Sequence, residues 1–438
     1  MNASDVDRRR LYYVGNLSIF MIGLGFAVRA NIAPELQNNI YEPIDPANSA
    51  AMVGQAIGIT FTGFALTLLF GSALVDWIGM KRMLLLSAVG YVLGSLGLLA
   101  ATQLPVGSTV EALVLGSLLL TGLGWGAVEA AANPMIAALY PEEKTHRLNI
   151  LHAWWPAGIV IGGLLGVLID IAGLPWELNM LVLLLPAVLL AWMVATAAFP
   201  VTERVASGVS YTDMLAELFR RPLFWVFWVC MFFTAASELA PGAWVDISLS
   251  NTVGMPGILV LVYVSALMFV MRHFAGPIVE RISSVGLMCA SCVAAAVGLY
   301  MLSLAHSPIM AFAAATVWGI GVCYMWPTML GIVAERFPRG GAVALGLMGF
   351  AGGMSIQFVL PMMGAIFDEA KAEAVGGSDR FAAMSSEAMA EAIRYASVES
   401  FQAIAVVPLV LLPIFAIIWW SDRRSAPVPA GSVGEGSA

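Results

Sequence analysis

The chain has 438 residues, 60 % hydrophobic and 11 % charged, with a mean hydropathy of +0.88. Soluble domains run about half apolar and about a quarter charged, so an ordinary water-soluble fold is excluded. The net charge of −8 reflects acids gathered between Asp368 and Glu399 and at a few helix ends, and there is no basic stripe to suit nucleic acid.

The polar, basic opening MNASDVDRRR precedes an apolar run too long for a signal-peptide core, and so reads as leading into an uncleaved first span. Hydrophobic runs lie at about 11–34, 51–75, 83–101, 111–140, 148–172 and 178–200, which we number spans 1 to 6. A polar linker, 201–221, follows, with Leu215, Leu218 and Phe219 on one face of a short interfacial helix. Spans 7 to 12 lie at about 222–247, 256–280, 285–304, 309–334, 342–367 and 400–420. Each is long enough to cross a hydrocarbon core of about 30 Å at about 1.5 Å per residue. The expected fold is all-α: a polytopic membrane protein with twelve transmembrane helices in two six-helix bundles, 1–200 and 222–421, and a disordered tail, 422–438. Before span 12, SSEAMAEAIRYA suits a short external helix. Cys230, Cys289, Cys292 and Cys323 sit inside apolar runs, so the CxxC spacing of Cys289 and Cys292 reads as packing, not as a redox or zinc pair.

Charge orients the spans. With the N-terminus in the cytoplasm, fifteen of the twenty Lys and Arg residues fall on the cytoplasmic side, three (Lys371, Arg380 and Arg394) fall outside, and Arg29 and Arg272 lie within spans. This positive-inside bias puts both termini in the cytoplasm of a cell whose inner membrane holds the protein. An internal echo supports two related halves: SALVDWIG (72–79) and GPIVERIS (276–283) place Asp76 and Glu280 at equivalent points after spans 2 and 8.

SALVDWIGMKR (72–82) resembles the signature loop of the major facilitator superfamily, G-x-L-x-D-R-x-G-R-K, with Ser72 and Trp77 as departures. Asp76, Gly79, Lys81 and Arg82 are its gate-motif residues. In the second half Arg272, Gly276 and Glu280 are spaced along one side of span 8 and read as the matching gate. GLGWGAVEAAANPMIAALYPEEKTHRLNILHAWWPAGIVIGGLLG (122–166) resembles spans 4 and 5 of the fucose/proton symporter branch of sugar carriers. ASELAPGAW (236–244) is similar to that branch's span 7. The resemblance implies that Glu129 and Glu238 occupy the span-4 and span-7 carboxylate positions that serve proton coupling and sugar binding. It also implies that Asn31 matches a span-1 asparagine. Ile32 stands where the branch has an aspartate, Arg29 is additional, and His152 and Trp155 replace a glutamine and an asparagine of span 5.

Ionisable groups inside a span cost several kcal/mol unless paired or wetted, which makes each a functional candidate. Glu129 lies about twelve residues, roughly 18 Å, from the cytoplasmic end of span 4, near the midplane. Arg29 suits either an ion pair with Glu129 or an acid group on a solute. Glu238, just before Pro241 and Gly242, suits a hydroxyl, a proton or a sodium ion, or a capping role. His152 titrates near neutral pH and is a candidate relay. Trp125, Trp154, Trp155, Tyr324 and Trp326 offer flat surfaces for sugar rings, with an interfacial aromatic belt as the plainer reading. Asn133 and Gln357 suit solute hydroxyls or helix–helix hydrogen bonds.

These residues predict a secondary active transporter moving a sugar or similar small polar solute by alternating access. Protons are the expected coupling ion, with sodium uptake and proton-antiport export of drugs or metabolites as the alternatives. Spans 1, 4, 5, 7, 10 and 11 are expected to line the site. The chain carries no HExxH and no GxSxG, so no enzyme is expected, nor any cofactor or resident metal. Lipid and solute are the expected partners, and the protein is expected to be a monomer.

Overall fold

The computed structural model describes residues 6–45, 49–255, 258–377 and 385–425, and among these every regular element is helical. Hydrocarbon offers a peptide group no hydrogen-bond partner, so apolar runs of this length fold into helices that satisfy their own backbones. Spans 1 to 6 are Arg8–Leu36, Ser49–Ile78, Met80–Ala101, Ser108–Leu139, Lys144–Ile171, and the pair Leu178–Leu181 and Leu184–Ala195. Span 7 is Pro222–Val253, and span 8 is the pair Ile258–Arg272 and Ala275–Ile282. Spans 9 to 12 are Ser284–Ser303, the pair Pro308–Val322 and Met325–Arg336, Gly341–Val375 and Ser386–Ser425. Among the described residues eleven helices are long and apolar enough to cross a membrane, and the two segments of span 8, bent by 65°, make a twelfth if they are taken as one span. The polytopic all-helical fold expected from the runs is the fold observed.

The helix ends differ from the sequence reading. The segment expected to form a short external helix is fused to span 12, which runs unbroken for 40 residues. At about 1.5 Å per residue that is about 60 Å, twice a hydrocarbon core. Span 11 extends in step, and Phe367 and Ala370 pack on Ala396 in a small separate core before Gly376, at φ 74°, ends the helix. Residues 422–425, assigned to a tail, belong to span 12. The rest of that tail, 426–438, lies outside the described residues.

Within the first half, span 1 packs on span 5, and span 4 on spans 2 and 3. The halves meet where span 2 faces span 11 and where span 5 faces spans 8 and 10. Glycine permits the tightest of these approaches. A Cβ on Gly158 of span 5 would run into the carbonyl of Phe20 on span 1. The linker carries a helix, Tyr211–Arg220, started by Ser210, whose hydroxyl accepts the Asp213 amide at 3.1 Å. Met214 and Leu218, one turn apart, are buried under Gly340 and Gly341, whereas Phe219 is 67 % exposed. Leu218 and Phe219 thus do not share a face: the helix docks on protein through Met214 and Leu218.

Spans 8 and 10 are broken at neighbouring points. Span 8 bends after Arg272, and span 10 restarts at Met325 after Cys323 and Tyr324. The Tyr324 hydroxyl donates to the Met271 carbonyl at 2.8 Å, and Arg272 Nε donates to the Cys323 carbonyl at 2.5 Å. A broken helix frees carbonyls and amides at membrane depth, and here they are used by side chains.

Candidate functional site

Between the halves lies a cavity of about 50 Å³, room for a few waters. The first half lines it with Ile22 and Phe26 of span 1, Phe61 and Phe64 of span 2, Trp125 and Glu129 of span 4, and His152 and Trp155 of span 5. The second half contributes Glu238 and Leu239 of span 7, Arg272 of span 8, Trp326 of span 10 and Gly353 of span 11. The six spans expected to line the site do so, and spans 2 and 8 join them.

Two polar groups face each other there. On the first-half side, Asn133, one turn beyond Glu129, donates to the Glu129 carboxylate, and its oxygen lies 3.0 Å from His152 Nε2. An amide oxygen only accepts, so His152 carries its proton on Nε2 in this arrangement. The same Nε2 is 3.7 Å from Glu129 itself. On the second-half side, Arg272 Nη2 meets Glu238 at 2.7 Å, with both side chains almost wholly buried. The other Glu238 oxygen accepts from the Trp326 amide at 3.3 Å. That amide belongs to the first turn after the break in span 10, where the positive end of the helix dipole favours a carboxylate. Arg272 Nη1 then crosses between the halves to the His152 carbonyl at 2.6 Å.

Arg272 is therefore a member of the central site, not of a gate with Gly276 and Glu280. The bend after residue 272 takes it off the helix that carries those two. Gly276 lies at the interface, its amide donating to His146 Nδ1 at 3.1 Å, and Glu280 is exposed, with no ion pair among the described residues. In the first-half motif, Asp76 bonds the linker, through Arg204 at 2.5 Å and the Thr202 hydroxyl. Lys81 caps span 6 through the carbonyls of Ala195 (2.7 Å) and Ala197 (3.0 Å), Gly79 makes the turn at φ 87°, and Arg82 is exposed.

Several candidates stand off the cavity. Arg29 makes no ion pair with Glu129. Its guanidinium lies over the ring of Trp125, 4.1 Å from the centroid, behind the cavity wall. Asn31 donates to the Gly162 carbonyl at 3.0 Å and to Asn179 at 3.4 Å, holding spans 1, 5 and 6 together. Trp154 packs edge-on against Phe269 of span 8, 5.7 Å between centroids. Tyr324 serves the break described above, Gln357 is exposed beside Gly58, and Asn133 acts through Glu129 and His152. The phenylalanines were missed because an apolar residue in an apolar run carries no signal. Only the helical spacing of Phe61 and Phe64, three apart, hinted at a shared face.

On the face that carries the linker, the halves are tied shut. Glu335 Oε1 accepts from the Thr145 hydroxyl at 2.5 Å and from its amide at 3.3 Å. Asn149 donates to Thr328 at 3.3 Å, and Lys144, paired with Glu203 at 2.8 Å, reaches the Ala334 carbonyl at 3.5 Å. Two bundles of six spans, with ionisable groups at their shared centre and a latch at one end, make a rocking carrier. The Major Facilitator Superfamily profile matches residues 11–361. The chain belongs to the major facilitator superfamily. No curated protein matches it in sequence. Among solved structures it is similar to the fucose:proton symporter of E. coli, at 16 % identity and TM-score 0.65 over 91 % of this chain and 98 % of that one. It is also similar to the xylose transporter of E. coli, at 14 % and 0.66 over 93 % and 97 %. The human organic anion transporter of the superfamily is as near, at 14 % and 0.66 over 93 % and 99 %. At such identities the likeness is one of fold.

Proposed function

We propose that this major facilitator protein is a secondary active transporter that moves a sugar or sugar-like polar solute by alternating access, in symport with protons. The observation that carries the reading is the central cavity, where Glu129, His152, Arg272 and Glu238 meet beside the rings of Trp125, Trp155 and Trp326. An indole offers a flat face to the C–H side of a sugar ring. The Trp326 indole N–H has no partner among the described residues and suits a hydroxyl. Glu129 is the coupling carboxylate: protonated, it donates to solute; ionised, it returns to Asn133 and His152. Loading weakens the bonds that Arg272 makes across the halves, so the latch on the linker face opens in turn. The linker face is the cytoplasmic one, as the distribution of Lys and Arg favours. The protein works as a monomer in the inner membrane, with both termini inside.

The fold neighbours named above as a fucose:proton symporter and a xylose transporter support the solute class. Phe26, Phe61 and Phe64 also favour a second reading, export of an apolar metabolite or drug, since half the wall offers no hydrogen bond. Purified protein in proteoliposomes, given a panel of labelled sugars and lipophilic cations under imposed proton or sodium gradients, separates the two. Glu129→Gln is expected to abolish proton-driven accumulation and to keep exchange. Full accumulation by that variant rejects the coupling role.

A further inference from the structure

Three cations are buried in the spans. Lys144 pairs with Glu203 and Arg272 with Glu238, whereas Arg29, 4 % exposed, pairs with no carboxylate among the described residues. Its Nε donates to the Gly25 carbonyl at 3.4 Å and its Nη1 to the Ile57 carbonyl at 3.2 Å, which leaves Nη2 without a hydrogen bond to any described residue. The rings of Trp125, Phe61 and Phe26 stand 4.1, 5.2 and 5.6 Å from the guanidinium carbon. All three also line the central cavity, so they wall Arg29 off from it.

On the far side of that wall a second cavity, of about 20 Å³, lies between spans 1, 3, 4 and 6. Arg29 lines it, with Gly25, Gly94, Ser95 and Thr121 as its small or polar neighbours and aliphatic side chains elsewhere. It contains no carboxylate. Room for one water needs about 10–15 Å³, so the space suits one small particle. Two buried donors nearby have no hydrogen-bond partner among the described residues. They are the Tyr91 hydroxyl, one turn before the lining residues Gly94 and Ser95 on span 3, and the Trp125 indole N–H, whose nitrogen lies close to the lining residue Gly25. Aromatic faces soften the burial of a guanidinium but do not neutralise it, and a water molecule would not either. One positive charge, surplus donors and a tight volume are the recognition chemistry of a monovalent anion. A cation is excluded by sign, and a divalent anion by the single guanidinium.

We infer that Arg29 and this pocket bind a small inorganic anion of halide size, held beside the transport path and outside it. The site is a structural counter-charge, and occupancy keeps Trp125 and Phe61 in place as cavity wall.

The full-length protein in detergent, unfolded thermally at constant ionic strength in chloride, bromide or gluconate, tests this. The midpoint is expected to rise saturably by about 2–5 °C with either halide over gluconate. Crystals grown in bromide should show an anomalous peak beside Arg29. Equal midpoints in chloride and gluconate overturn the proposal in the wild-type protein alone, whether or not a variant folds. Arg29→Gln is expected to lose the halide response, and its persistence there places the anion elsewhere and also overturns it. If glucuronate stabilises through Arg29 and halides do not, the anion is a solute carboxylate and the inorganic site is rejected.

Discussion

Arg272 and His152 join the two halves of the molecule at its centre: the guanidinium of one donates to the backbone carbonyl of the other at 2.6 Å. The same guanidinium neutralises Glu238 at 2.7 Å, so one side chain senses the charge of the site and holds its halves together. Any change at Glu238 is felt by the contact that must break when the bundles rock.

Arg272→Met leaves the buried Glu238 carboxylate without its counter-charge and is expected to cost about 3–5 kcal/mol, the usual loss when one partner of a buried pair is removed. Adding Glu238→Gln should restore most of the stability and none of the transport. Thermal unfolding and liposome uptake read the two effects separately. A single variant as stable as wild type would show the pair to be structurally idle.

The latch between Thr145 and Glu335 places a carboxylate from span 10 at the start of span 5. Charge at a helix N-terminus is worth about 0.3–1 kcal/mol when partly exposed, so Glu335→Gln should raise the population open on the linker face about 2–5-fold. Spin labels at Glu142→Cys and Arg339→Cys, exposed on the two sides of this seam, report the distance change. An unchanged distance distribution would remove Glu335 from the latch.

Trp326 lines the cavity and Trp154 does not, although both lie in aromatic clusters. Losing one aromatic stacking surface costs about 0.5–1.5 kcal/mol, so Trp326→Leu should raise the KM for the transported solute about 2–12-fold. Trp154→Phe keeps its packing on Phe269 and should leave KM where it was. Equal effects from both would mean that neither ring touches solute.

Two glycines separate packing from propensity. Gly158→Ala puts a Cβ into the backbone of span 1 and should destabilise by about 1–3 kcal/mol. Gly116→Ala meets nothing within 4 Å and should be neutral or stabilising by up to about 1 kcal/mol. Thermal midpoints of the two variants test the helix contact directly, and a harmless Gly158→Ala would contradict it.

The residues that stand out in a hydrophobic chain were legible in part. Glu129, Glu238 and His152 announce themselves because an ionisable group in hydrocarbon is costly, and they do meet at one cavity. Trp125, Trp155 and Trp326 reach it too, whereas Trp154 and Tyr324 face other helices, and side-chain type alone does not distinguish those directions. Asn31 and Gln357 failed in the same way, one bonding between helices and the other exposed. Arg272 shows a different failure. Its four-residue spacing from Gly276 has meaning only on a continuous helix, and span 8 breaks between them.

Composition and run length determined that this chain is helical and membrane-spanning, because an unsatisfied peptide group is not tolerated in lipid and a helix is the local solution. The polar linker and the echo between 72–79 and 276–283 divided its twelve runs into two halves. Which polar side chain met which was decided only in three dimensions. Arg29 came to lie behind an aromatic wall and Arg272 at the centre, because the breaks in spans 8 and 10 and the close approach of spans 1 and 5 set directions that no spacing along one helix contains.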